Sequence, residues 1–205
     1  MKLESLASAL AGIFLGLVAG WVIGSQQAQP RVAAAPQQAV APAPANVQTP
    51  PPPPLLDETE VARFTALAER DASNATPRVQ LGNLYFDAER YDDALAWYQK
   101  ALELDPTNAD VSTDLGVSYY YTNQADRALA QFRRSLEMDP RHTKTMLNEG
   151  IVLAFGKQDL DAAARSWQRV VDLAPESPEG QAARRALESM KSAHPNLGAP
   201  PPGTN

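Results

Sequence analysis

The 205-residue sequence contains no cysteine and only two histidines. The lack of cysteine excludes disulfides, thiolate metal sites and thiol nucleophiles. His142 lies in a predicted turn and His194 precedes Pro195, and neither has a nucleophile or a metal ligand at a suitable spacing. The sequence also lacks a glycine-rich phosphate loop and any metal-ligand motif. It therefore predicts a protein that is not an enzyme and that needs no metal or cofactor.

Clusters of basic residues are lacking as well. Outside residues 55–194 the charged side chains are Lys2, Glu4 and Arg31, so this internal region holds 16 basic and 23 acidic side chains, a net charge of −7. Nucleic acid binding requires clustered lysine and arginine that contact phosphates. We therefore do not expect a nucleic acid partner.

The distribution of proline divides the chain. Nine of the 18 prolines lie between Pro30 and Pro54, and three more close the chain at positions 200–202. Such segments cannot bury a core and favour extended polyproline II backbone. We predict a linker rich in proline, alanine and glutamine at residues 26–54, a folded domain at residues 55–194 and a disordered tail at residues 195–205.

The N-terminal segment predicts a membrane anchor. Leu6 to Gly24 contains 19 residues without a charge, enough for a helix of roughly 28 Å, which can cross a bilayer. A cleaved signal peptide, with a shorter apolar region, is the alternative. Residues 1–25 are thus predicted to be an uncleaved, single-pass signal anchor of the inner (cytoplasmic) membrane. Lys2 weakly favours a cytoplasmic N-terminus, which would place the domain in the periplasm of a bacterial cell.

Glycines recur along one face of this predicted membrane helix. They are spaced four residues apart, a pattern that lets helices approach closely in lipid, and they are Gly12, Gly16, Gly20 and Gly24. This face predicts a homodimer or a docking site for another membrane helix. The alternative is that glycine is simply common in membrane helices.

A second pattern repeats through the internal region. Gly82, Gly116 and Gly150 are 34 residues apart, and each opens an apolar run that is followed by a polar break, a second apolar run and a proline. The third copy is one residue longer around Lys157 and Gln158. Alanine and an aromatic residue recur in the second run of each copy, as Ala94 with Tyr98, Ala128 with Phe132, and Ala163 with Trp167. This period is typical of helical repeat arrays, which expose a binding surface.

At these residues the sequence resembles the tetratricopeptide repeat family. The resemblance implies an all-α, right-handed superhelical stack of antiparallel helix pairs, with repeats at 75–108, 109–142 and 143–177. A half repeat at 55–74 and a capping helix at 178–193 would complete the stack. The sequence departs from the family pattern where tryptophan is common, at Arg78, Ser112 and Met146, and again at Glu149.

In this family the first helix of each repeat lines a concave groove that holds a peptide or helix. The resemblance, with the helical rotation of about 100° per residue, gives the candidate groove residues Val79, Asn83, Phe86, Thr113, Val117, Tyr120, Tyr121, Lys144, Leu147, Asn148, Ile151 and Phe155. About half of these residues would be core in the alternative interpretation. We expect Phe86, Tyr120 and Tyr121 to be the main contacts.

Some family members hold a C-terminal carboxylate with lysine, arginine and asparagine. Asn83, Lys144 and Asn148 match part of that pattern, but Val79 and Val117 replace polar groups and no arginine completes it. Tight recognition of an acidic tail is therefore not expected, although a single contact from Lys144 to a ligand carboxylate stays open.

The leading functional hypothesis is a membrane-tethered interaction module that binds a peptide or helix during assembly or maturation of envelope proteins. The chain is similar to the anchored tetratricopeptide proteins of bacterial cytochrome c maturation in its anchor, size and apolar groove. That similarity implies capture of an unfolded polypeptide. Two alternatives are a self-associating structural scaffold and an adaptor that faces the cytoplasm.

Overall fold

The computed structural model describes residues 55–194. The predicted membrane helix with Gly12, Gly16, Gly20 and Gly24, the linker and the tail lie outside these residues. Within 55–194 the chain forms eight α-helices and no strand. The helices are α1 (Glu58–Arg70), α2 (Thr76–Asp87), α3 (Tyr91–Leu104), α4 (Ala109–Tyr121), α5 (Ala125–Met138), α6 (Thr143–Ile151), α7 (Leu160–Leu173) and α8 (Pro178–Ala193), and a π-helical turn at Val152–Gly156 follows α6.

None of the helices in the described part of the chain has the length and apolar character needed to span a bilayer.

Side-chain caps fix several helix starts. Asp57 accepts hydrogen bonds from the backbone amides of Thr59 and Glu60 at 3.0 Å. Three further N-cap side chains each accept from one amide in the first turn, namely Asn108, Asp159 and Ser177. Because the first amides of a helix lack intrahelical acceptors, such caps stabilise the helix by about 1 kcal/mol each.

The helices pack as successive pairs. α2 packs on α3, α4 on α5, and α6 on α7, while each pair also contacts the next. The helix α8 packs against α6 and α7 and buries Ala183, Ala186, Leu187 and Met190. The all-helical, solenoid-like fold predicted from the glycine spacing is confirmed.

The periodic glycines contact the periodic aromatic residues. A Cβ atom added to Gly116 would lie 2.6 Å from Cδ1 of Phe132, and the corresponding distances are 2.5 Å for Gly82 with Tyr98 and for Gly150 with Trp167. Each of these rings is at most 2% exposed. Any side chain would overlap the ring, so the glycine lets the second helix pack closely against the first.

The turn inside each repeat contains one residue in the left-handed region. These residues are Glu89, Asn123 and Gln158, with φ of 58°, 61° and 58°. In the first two repeats the next amide donates to a carbonyl five residues back, Arg90 to Tyr85 and Gln124 to Tyr119, both at 2.8 Å. This arrangement is the Schellman helix end, which satisfies carbonyls that the helix leaves open.

The third repeat accommodates its extra residue differently from the sequence-based expectation. The sequence placed it in the turn around Lys157 and Gln158. In the structure α6 ends at Ile151 and the extra residue widens the helix into the π-helical turn, where the Lys157 amide donates to the Val152 carbonyl at 3.0 Å. One additional residue per turn is what a π-bulge absorbs, so Gln158 keeps the same left-handed turn as the other repeats.

Candidate functional site

The first helices α2, α4 and α6 each direct one row of side chains away from their partner helix. With a rotation of 100° per residue, the side chains of this row lie within a sector of about 60° on each helix, on the side away from the periodic glycines. All are exposed or half-buried. We call this set, together with Phe155 of the π-helical turn, the outer row: Asp87, Asp110, Asp114, Val117, Tyr121, Lys144, Asn148, Ile151 and Phe155.

A neighbouring row of predicted groove residues lies closer to the core. Val79, Phe86, Val117 and Tyr120 are partly buried and pack against the core of the first two repeats. Leu147 and Ile151 pack in the same way against the core of the third repeat and α8. The structure thus divides the predicted groove into residues that support the core and residues that face outward, with Val117 and Ile151 contributing to both.

Thr113 is a correction to the predicted groove. It is 0% exposed, and its Oγ1 donates to the Ala109 carbonyl at 2.7 Å and lies 2.6 Å from Oγ1 of Thr145. His142 extends this cluster, since its Nδ1 lies 2.6 Å from the same Thr145 hydroxyl. Thr113 therefore joins α4 to α6 and cannot contact a ligand.

Aromatic side chains gather where α2 and α4 end. The rings of Tyr91 and Tyr121 stack with centroids 4.5 Å apart, and Phe86 meets each of them edge-on at 5.2 and 5.7 Å. Tyr120 lies beside Tyr121 at 5.9 Å. Burial raises the pKa of Tyr91 and of Tyr120, so both stay neutral at physiological pH. Phe86, Tyr120 and Tyr121, the three expected contacts, thus belong to one cluster.

The outward end of this cluster stays accessible. Tyr121 is 54% exposed and Phe155 is 46% exposed. Tyr120, Tyr121 and Phe155 line one open cavity between the second and third repeats. Apolar surface of this kind on successive repeats suits contact with another polypeptide.

The three residues that match part of the carboxylate clamp each make a contact within the domain. Asn83 Oδ1 accepts from Tyr98 Oη at 2.8 Å, and Asn148 Nδ2 donates to the Lys144 carbonyl at 2.8 Å. Lys144 Nζ lies 2.7 Å from Asp114 Oδ1. Lys144 therefore has a carboxylate of the domain itself as its partner, so a contact to a ligand carboxylate, which the sequence left open, would compete with Asp114.

Three acidic residues of the outer row were missed in the sequence: Asp87, Asp110 and Asp114. Burial raises the pKa of Asp114, while the hydrogen bond and charge of Lys144 act in the opposite direction. The helical rotation that brings Asn83 close to this side also places Asp87 there, one turn later. A search for apolar groove positions passes over such residues, whereas a helical wheel that includes charge would find them.

Tyr91 was missed for a different reason. It begins α3, a second helix, and the predicted groove was restricted to first helices. Its ring reaches the site through stacking on Tyr121, a contact between repeats that periodicity within one repeat does not reveal.

The described residues offer no site for a metal ion: nowhere in 55–194 do three or more His, Asp or Glu side chains converge closely enough to ligate one.

Two family profiles match the repeats. One described as TPR repeat matches residues 82–122, and one described as tetratricopeptide repeat matches residues 113–178. No curated protein sequence matches this chain significantly.

Solved structures show the same architecture. The first TPR domain of Spaghetti (RPAP3), bound to the HSP90 peptide SRMEEVD, is 26% identical with a TM-score of 0.53, and the match covers 60% of this chain and 94% of that chain. The MamA RS-1 ArsTM double mutant is 20% identical with a TM-score of 0.58, covering 66% and 74%. The Arabidopsis OM64 TPR domain is 16% identical with a TM-score of 0.51, covering 56% and 94%.

The profiles identify the periodic residues, and the solved structures share the arrangement of the helices. Repeats of this kind act as protein–protein interaction modules. Residues 82–178 are accordingly assigned to the tetratricopeptide repeat family.

Proposed function

We propose that this chain is a membrane-anchored module whose outer row binds a peptide or helix of a partner protein during envelope assembly or maturation. The observation that carries this proposal is the accessible apolar surface of Tyr121, Phe155, Val117 and Ile151 on successive repeats. A polypeptide segment can cover such a surface when its apolar side chains lie on one side, either at every second position of an extended segment or along one face of a helix.

The similarity to a peptide-bound structure supports the choice of ligand. The TPR domain of Spaghetti is bound to the HSP90 peptide SRMEEVD, and its sequence is 26% identical to that of this chain. The shared helix arrangement supports polypeptide binding here. We do not expect this chain to bind the same peptide, because Asn83, Asn148 and Lys144, which match part of the clamp, already make contacts within this domain.

The membrane part of the proposal rests on the sequence. The uncharged run from Leu6 to Gly24 would anchor the chain, and residues 26–54 would extend up to about 90 Å at roughly 3.1 Å per residue. Gly12, Gly16, Gly20 and Gly24 would mediate a homodimer or contact another membrane helix. Capture of an unfolded polypeptide, as in cytochrome c maturation, is one specific form of this proposal.

Topology can be tested separately from binding. Alkaline phosphatase fused after Asn205 is active only outside the cytoplasm, so the proposal predicts high activity in intact bacterial cells. A stably expressed but inactive fusion would overturn the envelope assignment and leave the adaptor facing the cytoplasm.

Binding is tested by the double substitution Tyr121→Ala and Phe155→Ala in the full chain. Both rings are about half exposed, so the domain should keep its cooperative thermal transition while partners that co-purify from the native host are lost. The matched control is Leu104→Ala with Met138→Ala, since these side chains are 39% and 37% exposed on second helices. Equal loss in the two variants would contradict binding at the outer row.

A further inference from the structure

The outer row carries an asymmetric charge. Its charged side chains are Asp87, Asp110, Asp114 and Lys144, three carboxylates and one ammonium group. α2, α4 and α6 contain one further basic residue, Arg78, whose guanidinium donates to the carbonyls of Asn74 at 2.8 Å and Ala68 at 3.3 Å. The carbonyl of Ala68 belongs to α1, so Arg78 is directed toward that helix and does not offset the carboxylates.

The positive charge of Lys144 is already neutralised. Its Nζ lies 2.7 Å from Asp114 Oδ1 and 4.0 Å from Asp110 Oδ1. Asp110 also lies 3.2 Å from His142 Nε2, but its side chain is 71% exposed and remains open to a second cation. A ligand carboxylate that approached Lys144 would have to displace Asp114 and would meet Asp110 beside it.

Acidic residues also lie near Asn83, the asparagine of α2 that matches part of the carboxylate clamp. Asp114 and Asp87 both add to the effect of burial in raising the pKa of the Tyr98 hydroxyl. That hydroxyl donates to Asn83 Oδ1 at 2.8 Å. Asn83 also lies one turn before Asp87 on α2, so its surroundings carry negative charge rather than the positive charge that a bound carboxylate requires.

We propose that the occupant of the outer row is a basic, apolar segment in which lysine or arginine alternates with apolar residues, and that acidic tails are rejected. This inference rests on the proposed function. The basic side chains would contact Asp87 and Asp110, and the apolar ones would cover Val117, Ile151 and Tyr121. Complementary charge sets the preference among partners, and like charge excludes the wrong ones. The peptide SRMEEVD, which is bound to the TPR domain of Spaghetti, is acidic overall, and the outer row should reject a peptide of that charge.

The test uses the full chain in detergent micelles and three fluorescently labelled peptides. The peptides share leucine at every second position, and their remaining positions are all lysine, all glutamine or all glutamate; SRMEEVD is a fourth probe. Fluorescence anisotropy should show the lysine peptide binding about tenfold more tightly than the glutamine peptide, and the glutamate peptide and SRMEEVD more weakly still. Raising the ionic strength should reduce this preference, because these carboxylates are accessible to salt.

Charge variants connect the preference to named residues. Asp87→Asn with Asp110→Asn should lower lysine-peptide affinity about fivefold and leave glutamine-peptide affinity unchanged. Glu103→Gln with Glu137→Gln, exposed carboxylates on second helices, is the matched control and should change neither. Lys144→Gln should strengthen lysine-peptide binding, because Asp114 is released; weakened binding of the glutamate peptide instead would show that Lys144 serves as a ligand contact.

The outcomes separate this inference from the function on which it rests. Equal affinity for the lysine, glutamine and glutamate peptides would overturn the charge preference and preserve a peptide-binding outer row. Tighter binding of SRMEEVD or of the glutamate peptide would overturn it as well. Failure of all four probes to bind would overturn both the preference and the binding of a polypeptide at this face.

Discussion

Lys144 and Asp114 form an ion pair that joins the first helices of the second and third repeats, with Nζ 2.7 Å from Oδ1. Their side chains are 41% and 25% exposed, so we expect the pair to contribute no more than about 1 kcal/mol to stability. Its larger consequence is for binding, since it removes the lysine that an acidic ligand would contact.

The same pair predicts a pH dependence. The folded chain takes up the Asp114 proton at higher pH than the unfolded chain, because burial raises the pKa of this carboxyl. The contribution of Asp114 to stability is therefore fully present below the ordinary aspartate pKa and is lost as pH rises through the folded pKa. Asp114→Asn removes this ionisable carboxyl and keeps a side chain of nearly the same shape.

Thermal unfolding of the original chain and of Asp114→Asn measures this effect. Lowering the pH from about 7.5 to about 4, the ordinary aspartate range, should shift the Tm of the original chain upward relative to that of the variant. A difference in Tm that stays constant, or that moves in the opposite direction, would contradict the raised pKa.

Gly116→Ala should destabilise the domain. The new Cβ would overlap Phe132, which is 0% exposed, and overpacking of this kind costs about 1–3 kcal/mol, more than the gain of about 1 kcal/mol from the helix propensity of alanine. Denaturant unfolding would measure the loss. In a Phe132→Leu background the ring is absent, so the penalty of Gly116→Ala should shrink; an equal penalty in both backgrounds would place the strain elsewhere.

The left-handed turn residues offer stabilising substitutions. Asn123 already occupies this conformation in the second repeat, whereas Glu89 and Gln158 carry longer side chains. Because asparagine tolerates the left-handed region better, Glu89→Asn and Gln158→Asn should each raise the free energy of unfolding by about 0.5–1 kcal/mol. The reverse change, Asn123→Gln, should lower it by a similar amount, and a stabilising Asn123→Gln would refute this explanation.

Thr113→Val tests the structural role assigned to a predicted groove residue. Loss of the hydroxyl removes the hydrogen bond to the Ala109 carbonyl and the 2.6 Å contact with Thr145. Leaving buried polar groups without a partner should cost about 1–3 kcal/mol. Peptide affinity measured below the transition should stay unchanged. A stable variant with weakened peptide binding would return Thr113 to the binding face.

The sequence predicted the fold because its strongest signals are local and periodic. Gly82, Gly116 and Gly150 are required by contacts with rings within the same repeat, and such contacts recur at a fixed interval. Thr113 was misplaced because its surroundings come from the next repeat, whose Thr145 supplies the hydrogen-bond partner.

The electrostatics of the site could not be predicted from spacing. Lys144 matched a clamp position, but its charge is neutralised by Asp114 on a helix 30 residues earlier in the chain. The stacking of Tyr91 on Tyr121 likewise joins neighbouring repeats. These pairs depend on how the repeats rotate against one another, which the one-dimensional period does not specify.

The measurement that tests the central claim most directly is site-specific photo-crosslinking in intact cells of the native host. A photoreactive phenylalanine analogue would replace Tyr121 or Phe155 on the outer row, and Arg134, exposed on α5, as the control. Binding at the outer row predicts crosslinks to a partner polypeptide from positions 121 and 155 and none from position 134. Crosslinks to a partner from position 134 alone would contradict it.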